Sequence, residues 1–187
     1  MSDRVSDHEL LARATAGDPA AFRSLVERYE DVVASTVIGM LGPGAEADDV
    51  GQETFVRFYR TLNRFREEAS LATYLTRIAM NLSLNALKRR KRFFARHVQG
   101  QEAGERLADS GPDPAGQLES GEVRERVRFA IDQLPSKHRA VVTLRLIDGY
   151  STRETAQILE VPEGTVLSRL SRALERLEPH LRPLVEP

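Results

Sequence analysis

The 187-residue chain predicts an all-α protein, two small helical domains joined by a flexible linker. Three observations carry that expectation. Apolar residues recur at three-to-four spacing in one segment after another, and strand-like alternation is nearly absent. Helix-start signatures precede these segments, at Ser6-Asp7-His8-Glu9, Asp18-Pro19, Ser70 and Ser151-Thr152-Arg153-Glu154. Between residues 96 and 121 the composition turns to Gly, Asp, Glu, Gln and Pro, with too few large apolar side chains to order the stretch. The expected boundaries are 1–95 for the first domain, 96–121 for the linker and 122–187 for the second domain. About 25 linker residues span near 30 Å as a coil and about 85 Å when stretched.

The first helix follows Ser6 and runs to about Ala16, before Gly17. Asp18 then caps a second helix with Pro19 at its first position. Phe22, Leu25, Val26, Tyr29, Val32, Val33, Val37 and Leu41 carry it to the stop at Gly42-Pro43-Gly44. The β-branched run at 32–38 would suit a strand too, but its unbroken length and spacing favour helix.

The third helix, about 46–62, divides by face. Val50, Phe55, Phe58, Tyr59 and Leu62 are expected inward, and Asp48, Asp49, Gln52 and Glu53 outward with Val56 beside them. Asp49 and Glu53 repel at a four-residue spacing, by a few tenths of a kcal/mol. The helix dipole recovers part of this near an N-terminus, so helix-start chemistry is one reading of the acids. A docking face for a basic partner helix, with Val56 adding apolar contact, is the other.

The fourth helix, 70–94, has neither proline nor glycine. Leu71, Leu75, Ile78, Ala79, Leu82 and Ala86 form its buried stripe. Its other side carries Thr73, Arg77, Met80, Asn81, Leu84, Asn85 and Lys88, an odd mixture for a merely solvated face. Lys88-Arg89-Arg90-Lys91-Arg92 then precedes Phe93 and Phe94. Five adjacent cations repel one another, and a polyanion relieves that better than the helix dipole does. A solvated basic helix end is the bland alternative. Net charge is −1 overall, +1 over 1–95, −3 over 96–121 and +1 over 122–187, so any nucleic-acid binding must come from local clusters.

In the second domain Val123, Val127, Ala130, Ile131 and Leu134 give a stripe that ends at Pro135. Ser136 is placed to cap the next helix, whose Ala140, Val141, Leu144 and Ile147 run to Asp148-Gly149. The capping box at Ser151 opens a helix with Ala156, Ile158 and Leu159. A turn at Glu160-Val161 leads to Pro162 and the last helix. Two helices joined by a tight turn, with small Ala156 where they cross, form a helix-turn-helix. Val166, Leu170, Ala173, Leu174 and Leu177 are expected inward, leaving Thr165, Ser168, Arg169, Arg172 and Arg176 to reach base edges and phosphates. Glu160 stands where the turn favours Gly, at a cost near 1 kcal/mol if left-handed.

The absence of Cys excludes disulfides, thiolate catalysis and Cys-ligated zinc. His8, His97, His138 and His180 are scattered, and no phosphate loop, metal pair or nucleophile arrangement is present, so neither an enzyme nor a cofactor is expected. No apolar run approaches the roughly 20 residues of a membrane span, and the first ten residues are too charged for a signal peptide. A cytoplasmic protein without membrane insertion is the expectation.

Two motifs in order resemble those of bacterial RNA polymerase sigma factors. Asp48-Asp49-Val50-Gly51-Gln52-Glu53-Thr54-Phe55 resembles the acidic-Gln-Glu-x-Phe signature, and Leu134-Pro135, Arg139, Gly164-Thr165-Val166 and Ser168-Arg169-Leu170 resemble the fourth region. With no further domain between or before them, the chain is similar to the extracytoplasmic-function group. The resemblance implies a region-two bundle in 1–95 that docks on core polymerase and recognises and melts the minus-ten element. It implies a region-four helix-turn-helix in 122–187 that recognises the minus-thirty-five element. Asp48, Asp49, Gln52, Glu53 and Val56 would then meet the β′ clamp helices, with the β flap as a further polymerase contact. Phe65, Arg66, Tyr74, Arg77, Asn81, Lys88, Arg89, Arg90 and Arg92 would hold and open the minus-ten DNA. Thr165, Ser168, Arg169, Arg172 and Arg176 would enter the major groove. An anti-sigma factor is an implied partner. Tyr74 stands where the family usually has Trp, Leu167 where Lys is frequent, and Gly51 lowers the propensity of the docking helix by near 1 kcal/mol.

The resemblance makes physical sense of the clusters. Trapping an unstacked base costs a few kcal/mol, which a basic helix end and aromatic or Asn side chains can offset. Tethering two DNA-binding halves raises the local concentration of each. A stand-alone helix-turn-helix regulator would leave the acidic face idle, and a protein-only adaptor would leave both basic clusters unexplained.

Overall fold

The computed structural model describes residues 5–65, 69–97 and 118–182, with helices alone as regular structure among them. Four helices make the first domain: α1 (Asp7–Thr15), α2 (Pro19–Leu41), α3 (Ala45–Thr61), extended by a 3-10 turn at Leu62–Arg64, and α4 (Leu71–His97). Four make the second: α5 (Leu118–Asp132), α6 (Ser136–Val142), continued by a π-helical segment at Thr143–Ile147, α7 (Thr152–Leu159) and α8 (Glu163–Leu181). Most of the expected linker lies outside the described residues, while α4 and α5 reach into it from either end.

Local chemistry sets the starts. The Asp18 carboxylate accepts from the amides of Ala20 and Ala21 at 2.9 and 3.3 Å, and Pro19 takes the position where no amide partner is needed. Ser70 accepts from the Thr73 amide at 3.1 Å. Ser151 and Glu154 close a full capping box, at 3.2 and 2.8 Å. Ser6 makes only the forward half, accepting from the Glu9 amide at 3.2 Å. Ser136 does not cap; Pro135 occupies the cap position and Ser136 is already helical.

The first core gathers around α2, where Leu25, Val33, Val37 and Met40 meet Phe58, Leu75, Ala79 and Met80. Met80 is therefore buried rather than outward, because α4 is flanked by neighbours on more than one side. Tyr59 shows the reverse: it is 57% exposed, its ring edge-on to Phe22 at 4.9 Å. In the second domain Ala130, Leu134, Val142, Ala173 and Leu177 pack together, and Val141, Ala156 and Val166 form the helix-turn-helix crossing. Leu174, Ile147 and Val123 were expected inward and are exposed. The π segment adds a residue to its turn and so rotates Ile147 off the stripe that a regular helix would keep.

The two domains share a core. Ala140, Leu144 and Ile158 of the second domain are buried in the same cluster as the α2 and α4 side chains. Arg128 donates to the Ile38 carbonyl at 2.7 Å and Arg139 to that of Met40 at 2.8 Å. Both carbonyls belong to the last turn of α2, which has no basic residue there of its own. The Ile38 carbonyl also accepts from the Gly42 amide at 2.9 Å, whereas Met40 lies past the last intrahelical bond, so Arg139 serves an acceptor that the helix end leaves open, and both guanidinium groups add positive charge at a helix C-terminus.

Candidate functional site

The site is built on three helix faces. On α3, Ala47, Val50, Thr54 and Phe58 face the core, with the Thr54 hydroxyl donating to the Val50 carbonyl at 2.8 Å. This orientation turns Asp48, Asp49 and Gln52 to solvent. Val56 is 41% exposed beside them. Glu53 accepts from the Arg57 guanidinium at 2.9 Å, an exposed pair worth at most about 1 kcal/mol, so a competing cation can displace it. Next to this face lies an open hollow of about 560 Å³ lined by Phe22, Phe55, Val56, Tyr59 and Arg60. Reading the sequence placed Tyr59 inward and so missed this apolar ledge. Its signal was a run of aromatics wider than one core stripe requires.

The α4 face carries the second group. Arg77, Asn81 and Lys88 fall on one side by their spacing, and Asn81 and Lys88 are exposed. Arg89 and Arg90 lie 3.2 and 4.0 Å from the Glu46 carboxylate at the start of α3. Among the described residues no carboxylate pairs with Lys88, Lys91 or Arg92. Phe93 and Phe94, beyond that run, are both more than half exposed. Tyr74 is fixed rather than free: its ring packs at 4.9 Å from Phe65 and 6.2 Å from Phe58, and its hydroxyl donates to Thr61 at 3.1 Å. Arg66 lies outside the described residues.

The third face is on α8. Glu160 takes the left-handed conformation expected of the turn (φ 54°, ψ 47°), and the Val161 amide reaches back to the Ala156 carbonyl at 3.0 Å. Thr165 and Ser168 sit in the first turns of α8, with the Ser168 hydroxyl donating to the Thr165 carbonyl at 3.1 Å. Arg172 and Arg176 are exposed and Arg169 is half-buried. Burial first, and then the charges of Arg176, Arg172 and Arg169, hold the His138 imidazole below its usual range. By their spacing the three arginines share one side of α8, a stripe of positive potential beside His138 suited to a phosphate backbone. Sequence spacing gave the stripe but not its neighbour His138.

The structure brings Arg77 to Glu160, 3.5 Å away, so the α4 face and the helix-turn-helix turn meet. It leaves the acidic α3 face apart from both basic surfaces, except through Glu46. No group of acids, histidines or cysteines suited to a metal ion occurs among the described residues.

Known proteins show the same plan. The family model of Sigma-70 region 2 matches residues 25–93, and that of Sigma-70 region 4 matches residues 124–177. The chain is 37% identical to the ECF RNA polymerase sigma-E factor of Escherichia coli (strain K12) over 191 residues, covering 99% of each. It is 33% identical to the sigma-E factor of Haemophilus influenzae, covering 99% of this chain and 100% of that one. Its fold is similar to CnrH, solved in complex with the cytosolic domain of CnrY: TM-score 0.66, 24% identity, 95% of this chain and 97% of that one. It is also similar to the sigma factor RpoE of Bartonella quintana, solved in complex with the anti-sigma factor NepR: TM-score 0.66, 20% identity, 86% and 96% covered.

Proposed function

We propose a working mechanism from one premise: the chain belongs to the extracytoplasmic-function family of RNA polymerase sigma factors. It is an alternative sigma factor that binds core RNA polymerase and directs promoter-specific transcription initiation. It is an initiation factor rather than an enzyme. No helix among the described residues is long and apolar enough to cross a membrane. We place its action in the cytoplasm, with the polymerase and the chromosome.

The residue roles are our reading. Residues 1–95 act as the region-two domain, 96–121 as the tether and 122–187 as the region-four domain. Asp48, Asp49, Gln52, Glu53 and Val56 engage the β′ clamp helices, with the Tyr59 ledge extending the apolar part of that contact. Asn81, Lys88 and the cations that follow hold the minus-ten strand. Arg169, Arg172 and Arg176 grip the minus-thirty-five duplex, while Thr165 and Ser168 fix the register of α8. The β flap is a further polymerase contact of the second domain. The Bartonella RpoE is held by an anti-sigma factor, and we assign this chain a partner of the same kind.

The observation that supports this most is the exposure of Asp48, Asp49 and Gln52 on a face whose reverse is core. Reversing Asp49 and Glu53 to Lys tests it. Association with core polymerase in a pull-down is expected to be lost while far-ultraviolet circular dichroism stays unchanged. Retained binding removes the docking assignment.

A further inference from the structure

We infer that Leu167 reads the methyl group of a thymine in the major groove and so sets the base preference at one position of the minus-thirty-five element. The inference rests on the sigma-factor reading above and adds a specificity residue to it. Leu167 is the fifth residue of α8, about 6 Å along the axis from its start. The first turns of such a helix are the part that reaches base edges. Val166, Ala173 and Leu177 of the same helix are at most 4% exposed and define its inner side. Leu167 is 55% exposed and belongs to none of the apolar clusters of the described residues.

An exposed leucine by itself needs no explanation, but its surroundings supply one. By spacing, Gly164 and Ser171 share its row on the helix surface, and Thr165, Ser168 and Arg172 form the adjoining row. A Cβ on Gly164 would meet nothing within 4 Å beyond the backbone of its own turn, so among the described residues that row is uncovered. The Ser168 hydroxyl donates to the Thr165 carbonyl at 3.1 Å, and that of Ser171 to the Glu175 carboxylate at 3.2 Å. Both hydroxyls are thus engaged within α8, and Leu167 is the one large side chain of its row in the first turns. Leu174, 47% exposed, continues the row about 10 Å further on. The adjoining row decides what covers Leu167: Arg172 stands exposed there, with Arg169 and Arg176 on the same side, and those charges select a polyanion. Base edges in the major groove present hydrogen-bond donors and acceptors, and the thymine C5-methyl is their apolar group. Leucine covers that methyl at a gain; against any other edge it would desolvate polar groups without pairing them.

Holoenzyme reconstituted from core polymerase and the full chain, offered a promoter library randomised across the minus-thirty-five element, tests the inference. The unsubstituted chain is expected to select thymine at one position. Leu167→Ala should lose that preference and keep the others, because an exposed side chain is exchanged for a better helix former. On the selected promoter, deoxyuracil in place of that thymine removes only the methyl group. It should weaken binding of the unsubstituted holoenzyme about three- to tenfold. The Leu167→Ala holoenzyme should be indifferent to the same replacement, and its salt dependence unchanged, since no phosphate contact is lost. The absence of a selected thymine, identical base preferences, or an equal response of both holoenzymes to deoxyuracil overturns the inference. Weaker association of Leu167→Ala with core polymerase, with base preferences intact, gives the leucine to a protein partner and overturns it too. Failure of the unsubstituted holoenzyme to enrich any sequence strikes the sigma-factor reading instead.

Discussion

The acidic face of α3 and the basic face of α4 belong to one domain, yet among the described residues only the second is bonded to the other domain. Asp48, Asp49 and Gln52 stand in solvent, and among the described residues the acidic Glu53 beside them pairs within its own helix, with Arg57. Arg77, by contrast, finds Glu160, and Thr76 finds Tyr150. Both faces are charged, and charge alone does not distinguish them. What distinguishes them is what the second domain offers: a carboxylate at its turn, and guanidinium groups aimed at the end of α2 rather than at α3. The difference teaches where the domains meet: the surface assigned to polymerase stands clear of the docking contact, whereas the surface assigned to the promoter touches it at one edge, through Arg77, with Asn81 and Lys88 left exposed.

The comparison can be broken most severely at Arg139. Replacing it with Ala removes the bonds to Met40 and Asp132 and empties a buried site, at a cost of about 2–3 kcal/mol. Thermal or urea unfolding should show that loss in the free chain. An unaltered midpoint would mean that the two faces differ for another reason. Arg172→Ala tests the basic side on DNA. If the guanidinium reads a base, promoter affinity drops by roughly 1–3 kcal/mol with polymerase binding intact, as gel-shift titration of the holoenzyme would report.

Acid should sharpen the comparison. Burial raises the Asp148 carboxyl above its ordinary range, against the opposing hydrogen bonds from Ser35 and Thr36. A group whose pKa is higher in the docked state favours docking below its ordinary pKa, and that support is lost as pH rises through the raised value. Asp31 and Glu154 line the same hollow, and the bonds to Ser151 hold Glu154 below its usual range. Glu154 therefore keeps its charge while Asp148 takes up its proton. Energy transfer between dyes on the two domains should increase from neutral pH towards mild acid, and Asp148→Asn should flatten that response. A decrease on acidification would reverse the sign and sink the assignment.

The smallest effect is expected at Glu160→Gly. Relief of the left-handed backbone is worth about 1 kcal/mol, and the exposed pair with Arg77 less than that. The net gain should raise the melting temperature by a few degrees at most. It should also uncover Arg77.

Residues that answer to local rules were legible in the sequence. Asp18, Ser70 and Ser151 start helices because their side chains bond amides two or three residues on, a relation that spacing displays directly. Leu71, Leu75, Ala79, Leu82 and Ala86 are buried as their period requires. Spacing failed where a helix has neighbours on several sides or an irregular turn. Met80 is inside because α4 is surrounded, Tyr59 is outside with its ring edge-on to Phe22, and Ile147 is turned out by the π segment.

By itself the sequence determined an all-helical chain, its helix starts, two charged surfaces and the sigma-factor plan, because each is written in residues a few positions apart. Only the tertiary structure decided that the domains dock. That contact joins Ser35 to Asp148, Gly39 to Thr143 and Met40 to Arg139, pairs about a hundred residues apart that share no period. A missing side chain at Gly39 and a buried cation at Arg139 acquire meaning only from what stands opposite them.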